Sequence, residues 1–173
     1  SEMCIRDRFR NYSQNSAKYT SPSKKIAGEY QTPLYYPSIL RSQFQNDTLK
    51  GNTIVITEGE FKAITAVNNG INCISFAGIS IYNHIREHLQ EFTQFVNKIK
   101  GKTVNIVILY DADATNPYTK HEFTSERLAN FNSSAKLFFE VLSSIETKKK
   151  MSFYVGHIDH EEKGLDDLLN SVE

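Results

Sequence analysis

The chain has 173 residues, and its 20 Lys and Arg balance 20 Asp and Glu, so the formal charge is zero with the 5 histidines neutral; this excludes a polybasic nucleic-acid coat or an acidic tail. Apolar residues make up 39% and aromatics 12%, with 11 Phe, 9 Tyr and no Trp, enough for one core plus an extension at a length where roughly two-thirds of the unfolded surface can be buried. Cys4 and Cys73 are the only cysteines, which excludes a disulfide framework or a four-cysteine zinc site and suits a reducing compartment.

In chain order, residues 1–8 (SEMCIRDR) open without Met and read as translated sequencing adapter, so they are set aside from fold reasoning; the natural chain is expected to extend further at this end. There is no apolar signal region at the amino end, and a cytoplasmic location is the expectation. Residues 1–50 hold 8 basic and 4 acidic side chains, a net of +4 hidden by the zero total. Turn signals at Ser21-Pro22, Gly28 and Thr32-Pro33 within a Ser-, Asn-, Tyr- and Lys-rich stretch mark residues 1–50 as a basic, irregular arm or hairpin.

From residue 51 to 173 the pattern is strand alternating with helix, the signature of an α/β domain with a central, mostly parallel four-stranded sheet. Thr53-Ile54-Val55-Ile56-Thr57 is a β-branched run suited to a strand buried on both faces. Residues 60–69 follow as a helix with Phe61, Ile64, Ala66 and Val67 at helical spacing, stopped by Gly70. A second strand spans residues 73–77 and ends at Gly78. Residues 84–98, with Ile85, Leu89, Phe92, Phe95 and Val96, form an amphipathic helix.

The strongest strand, residues 104–110, is the longest apolar run; interrupted by Asn105, it is strand-sized and not a membrane span. It runs into Asp111-Ala112-Asp113, then a polar loop with Asn116-Pro117. A long helix over residues 125–147 follows, its Lys148-Lys149-Lys150 tail reading as a solvated helix end favoured by the helix dipole. A last strand (151–155) and a short helix begun by Lys163-Gly164-Leu165-Asp166-Asp167 close the chain.

In open α/β sheets the ligand crevice lies beyond the carboxyl ends of the strands. Glu58 stands at the end of the first core strand, before Gly59. Asp111 and Asp113 follow the strongest strand at i and i+2, which on an extended backbone puts both side chains on one side. Carboxylates so placed suit Mg2+, which takes oxygen ligands and needs one or two protein carboxylates plus substrate phosphates. The competing reading is that both Asp cap a turn or helix at a strand exit. Lys62, one helical turn after Glu58, and Lys163 are candidate phosphate-binding residues, with solvated surface lysines as the alternative. Asp166 and Asp167 are candidate accessory carboxylates, or residues favouring the amino end of the last helix.

The order strand-Glu58-Gly59-helix, strand-Gly78, strand-Asp111-x-Asp113 resembles the TOPRIM domain of bacterial-type primases, type IA and II topoisomerases and related nucleases. Glu58-Gly59-Glu60-Phe61-Lys62-Ala63, Tyr110-Asp111-Ala112-Asp113, Lys163-Gly164-Leu165-Asp166-Asp167-Leu168-Leu169, and the lead-in motifs Lys18-Tyr19-Thr20-Ser21-Pro22 and Leu34-Tyr35-Tyr36-Pro37 are similar to the TOPRIM-like domain of plasmid, phage and mobile-element replication proteins. The resemblance implies Glu58 as general acid/base, Asp111 and Asp113 as Mg2+ ligands with Mn2+ as substitute, and Asp166 and Asp167 as accessory groups. It also implies primase-like nucleotidyl transfer, single-stranded DNA and nucleotides as substrates, and a helicase or replication module in the same or another chain as partner.

Nuclease chemistry by the same acidic trio and a binding-only module stay open. Asp111-Ala112-Asp113-Ala114-Thr115 also resembles the D-x-D-x-T of haloacid-dehalogenase-like phosphatases, but there the motif opens the core, whereas here two strands and Glu58 precede it. No G-x-x-x-x-G-K-S/T, G-x-S-x-G or H-E-x-x-H occurs, which excludes an ATPase motor, an elbow-type serine hydrolase and a zincin within this sequence.

Overall fold

The computed structural model describes residues 34–76, 86, 88–158 and 161–171, together with two short strands at 9–10 and 19–20. The chain divides into two compact units, Ser1–Gln31 and Thr32–Glu173. In the first, β1 (Phe9–Arg10) pairs antiparallel with β2 (Tyr19–Thr20). Lys18, the turn signals at Ser21-Pro22, Gly28 and Thr32-Pro33, the strand-ending Ala77 and Gly78, and Ile85 lie outside the described residues.

The second unit runs α1 (Ser38–Gln45), β3 (Thr53–Glu58), α2 (Glu60–Asn68), β4 (Cys73–Phe76), α3 (Leu89–Lys98), β5 (Thr103–Leu109), α4 (Ala112–Thr115), α5 (Ser125–Ser143), β6 (Lys150–Gly156) and α6 (Leu165–Asn170). Its four strands lie in the order β4-β3-β5-β6 and every pair is parallel. The α/β class expected from the alternating pattern is thus what forms, as a wholly parallel sheet flanked by helices. Ile54, Val55, Ile56 and Thr57 are all buried because β3 has a strand on each side and cover on both faces.

Register fixes the faces. Ile56 pairs with Ile74 on one side and Ile108 on the other, and Glu58 pairs with Phe76, so these side chains share one face of the sheet. Phe76 meets Phe138 edge-on at 5.7 Å, Tyr110 meets Phe131 at 5.3 Å, and Phe153 meets Phe139 at 5.1 Å. Helix α5 therefore covers the face from which Glu58 projects. The opposite edge, β4, is covered by a two-bond bridge between Tyr35 and Ser75.

Residues 34–50, assigned by composition to an irregular arm, contribute α1 and the buried side chains Leu34, Tyr36, Leu40 and Leu49. Tyr36 and Phe44 pack on Phe95 of α3; the local sequence, polar and turn-rich, conceals a long-range apolar contact. Helix α5 stops at Ser143, short of Thr147, because the hydroxyls of Ser143 and Ser144 donate back to Phe139 O at 2.7 Å and Val141 O at 2.6 Å, an alternative to continued helix. The lysine tail is accordingly no solvated helix end: Lys149 Nζ donates to Ile99 O and Gly101 O, and Lys150 starts β6.

Phe61 also departs from expectation. The buried stripe of α2 is Ala63, Ala66 and Val67, whereas Phe61 is 68% exposed. Two residues at about 100° each carry Phe61 roughly 200° around the axis from Ala63, so the helix seats itself through small side chains and turns the phenyl ring outward. Among the described residues, no helix is long and apolar enough to cross a membrane.

Candidate functional site

The carboxyl ends of β3 and β5 are adjacent, and each delivers acid. Glu58 is the last residue of β3, and Gly59, with φ +92°, turns the chain directly into α2; a side chain there would strain the turn. β5 ends at Leu109, and by Ala112 the backbone has become helical. The extended geometry expected for Asp111-x-Asp113 is therefore replaced by a helical turn, and what gathers the two carboxylates at one rim is their place at the start of α4.

Asp111 holds the N-cap position of α4, yet its side chain makes no capping hydrogen bond. It faces Lys62, whose Nζ lies 2.6 Å from Oδ1, a charge contact without a well-aligned hydrogen bond. Asp113 is almost fully buried and receives two cations on the same oxygen, Oδ2: Arg127 NH1 at 2.8 Å and Lys163 Nζ at 2.9 Å. Capping therefore does not account for either aspartate. The two lysines proposed as phosphate ligands are both engaged by the D-x-D pair.

Arg127 is a site residue that motif reading missed. Its helix begins at Thr124, whose Oγ1 accepts from Arg127 N at 3.1 Å. An arginine in the first turn opposes the helix dipole, so its placement there signals a carboxylate partner. That signal was present in the sequence, but its partner 14 positions earlier was not identifiable without the fold.

The loop before α6 closes the site. Ala112 N donates to Lys163 O at 2.8 Å, and the buried Asn116 Nδ2 donates to Ile158 O at 2.9 Å. Gly164 is where the elements crowd together: a Cβ there would come within 2.7 Å of Asp166 Oδ1, 2.8 Å of Lys62 Cε and 3.2 Å of Asp111 Oδ1. Asp166 thus borders the Lys62–Asp111 pair. Asp167 acts locally, its Oδ2 accepting from Gly164 N at 3.3 Å at the start of α6.

The electrostatics link Glu58 to this cluster. Burial is the main cause that raises the Glu58 carboxyl above the ordinary range; Lys62 and Arg127 oppose the rise, and Asp111 and Asp113 add to it. The Lys163 ammonium is raised, chiefly by its hydrogen bond to Asp113. Two aspartates thus pair with three cations drawn from α2, α5 and the loop before α6, and Glu58 feels both signs of charge.

Among the described residues, no three His, Cys, Asp or Glu side chains form a ready metal cage. The donor chemistry nonetheless suits a hard cation, because the ion pairs engage Asp111 through Oδ1 and Asp113 through Oδ2, leaving a second oxygen on each, and Mg2+ needs only one or two carboxylates.

The family model described as Domain of unknown function (DUF3854) matches residues 47–172, and the chain belongs to that family. No curated protein matches, and no solved structure matches.

Proposed function

We propose that this member of the DUF3854 family carries out magnesium-dependent nucleotidyl or phosphoryl transfer on nucleic acid, as a primase-like TOPRIM domain of a mobile-element or phage DNA replication protein working in the cytoplasm. The observation that carries the reading is the mixed-charge cluster at the carboxyl ends of β3 and β5, in which Asp111 and Asp113 pair with Lys62, Arg127 and Lys163 and Glu58 is coupled to it electrostatically. Such a cluster is suited to a substrate that brings both charges with it, since a phosphate–Mg2+ complex offers anions to the lysines and arginine and a cation to the aspartates.

Asp111 and Asp113 would hold the Mg2+, or Mn2+ in its place. Bound there, the ion supplies charge neutralisation and Lewis acidity at the reacting phosphoryl group. Lys62 and Lys163, released from the aspartates, would hold phosphate oxygens as point charges, and Arg127 would add a planar, forked donor. Glu58, whose carboxyl is raised chiefly by burial, would take a proton from the attacking hydroxyl. Basic residues in the first 50 positions would hold template phosphates, a helicase or replication module would accompany the domain, and binding would weaken as salt rises.

The test incubates the protein with single-stranded DNA, ribonucleotides and Mg2+, comparing wild type with Glu58→Gln and Asp111→Asn after both are shown to be folded. New primers that vanish in both variants support synthesis; shortened DNA supports nuclease action by the same trio. Binding with no turnover supports a non-catalytic module, and Asp111-dependent release of p-nitrophenol from its phosphate supports the phosphatase alternative. Against that last reading stands topology, because D-x-D here follows the third strand of the sheet in chain order, not the first.

A further inference from the structure

Two large aromatic side chains stand in solvent at the rim that carries the candidate site. Phe61, 68% exposed, lies in the first turn of α2 between Gly59 and Lys62. Tyr118, 94% exposed, lies in the loop that leaves α4. Since β3 and β5 are parallel neighbours, the segments that follow them leave the same end of the sheet, and Asn116 ties the Tyr118 segment to Ile158, just past the carboxyl end of β6.

Single exposed apolar residues are ordinary, but the exposure of these two is built into the fold. The α2 seat of Ala63, Ala66 and Val67 turns Phe61 outward. The Tyr118 backbone is pinned by Asn116, whose Oδ1 accepts from Tyr118 N at 2.9 Å while its Nδ2 is tied to Ile158 O. Beside them, Lys62, Arg127, Lys163 and Lys120 are each already in an ion pair with a carboxylate. While these cations face carboxylates they are only partly available to a phosphate chain, so a contact that needs no cation would add affinity for a polynucleotide at this rim.

We infer that Phe61 and Tyr118 are stacking platforms for the bases of a single-stranded nucleic acid, which they hold across the carboxyl rim of the sheet. Stacking suits this rim because every base has a π-face and the contact does not require a free cation. The inference rests on the reading of the site as one that acts on nucleic acid and adds which part of the strand is gripped: bases by the two rings, with the phosphates held elsewhere.

The experiment measures fluorescence anisotropy of a labelled oligothymidylate and of an abasic strand of equal length, with the full chain in buffer containing EDTA. No turnover enters this readout, so failure of the catalytic proposal leaves it intact, and the reverse holds. Wild type is expected to prefer the oligothymidylate. Phe61→Leu and Tyr118→Leu, which keep apolar bulk but lose the ring, are each expected to weaken it about 5-fold or more, with the abasic strand and the slope of affinity against salt unchanged. Phe61→Tyr should bind as wild type does. Equal affinity for both strands, no binding of either, or an unchanged preference in the leucine variants overturns the inference. So does sedimentation showing that the rings instead hold two copies of the chain together.

Discussion

Lys62 Nζ and Asp111 Oδ1 lie 2.6 Å apart, joining the first turn of α2 to the residue just before α4. Both side chains are less than one-fifth exposed, so the pair is weakly screened by solvent. It sets the cation proposed to hold a phosphate against one oxygen of the acid proposed to hold a metal, so the two cations would compete for that carboxylate.

A consequence is that Mn2+ should bind weakly to the protein alone and more tightly when a nucleotide triphosphate is present. Replacing both lysines, as Lys62→Met with Lys163→Met, removes the competing cations. Binding of Mn2+ without nucleotide, followed by electron paramagnetic resonance, is expected to tighten about 5-fold, the worth of one modest ion pair, while nucleotide no longer enhances it. Unchanged Mn2+ affinity would show that the aspartates are not the ligands.

Asp113 anchors two cations on one oxygen. Asp113→Asn leaves Arg127 and Lys163 facing a neutral amide. Both cations are about half exposed, so solvent recovers part of the loss, and a decrease of about 1–2 kcal/mol in urea unfolding is expected. Nucleotidyl transfer should fall on the order of 100-fold or more.

Arg127→Ala is expected to leave stability nearly unchanged and to reduce turnover about 10- to 100-fold through misplaced substrate. Arg127→Lys should recover only part of this, because an ammonium lacks the planar fork of the guanidinium. Equal activity in all three proteins would assign Arg127 to the surface.

Glu58 gives a pH signature with a defined sign. Its carboxyl is raised in the folded protein, mainly by burial, so the folded state binds the proton more tightly than the unfolded chain. Ionised Glu58 therefore costs stability above its folded pKa, and the cost is relieved as the pH falls through that value toward the ordinary glutamate range. Glu58→Gln should be the more stable protein at neutral pH, with the difference closing on acidification through that window. Melting temperatures of both proteins across this range check it; a gap that widens toward acid would reverse the assignment.

Gly164 and Gly59 separate two reasons for glycine. At Gly164 the backbone is ordinary, with φ −125°, and the obstacle is the crowd of Asp166, Lys62 and Asp111. Gly164→Ala should cost about 1–3 kcal/mol as overpacking and open the Lys62–Asp111 pair. At Gly59 nothing lies within 4 Å of a Cβ but φ is +92°, so Gly59→Ala is expected to destabilise through the backbone alone, leaving that pair intact. Denaturant midpoints together with the ammonium resonance of Lys62 distinguish the two.

The residue types that carry the site were readable from linear order. Glu58, Asp111 and Asp113 stand next to runs of β-branched and apolar residues, and a strand end is a local property of hydrophobic pattern. The same holds for the α/β class, set by the alternation of two periods. The early segment was less legible, because Leu34, Tyr36 and Leu40 lack a local period and are buried only by partners far along the chain.

Sequence by itself therefore determined which acids lie at strand ends and that a parallel sheet presents them at one rim. Only tertiary structure decided what faces them: Arg127 from α5, Lys163 from the loop before α6, and Lys62 turned onto Asp111 while its neighbour Phe61 turns away. The physical reason is range. Strand and helix formation depend on neighbours within a few residues, whereas an ion pair in a nearly buried cluster forms between side chains whose proximity exists only after the sheet has assembled and excluded water.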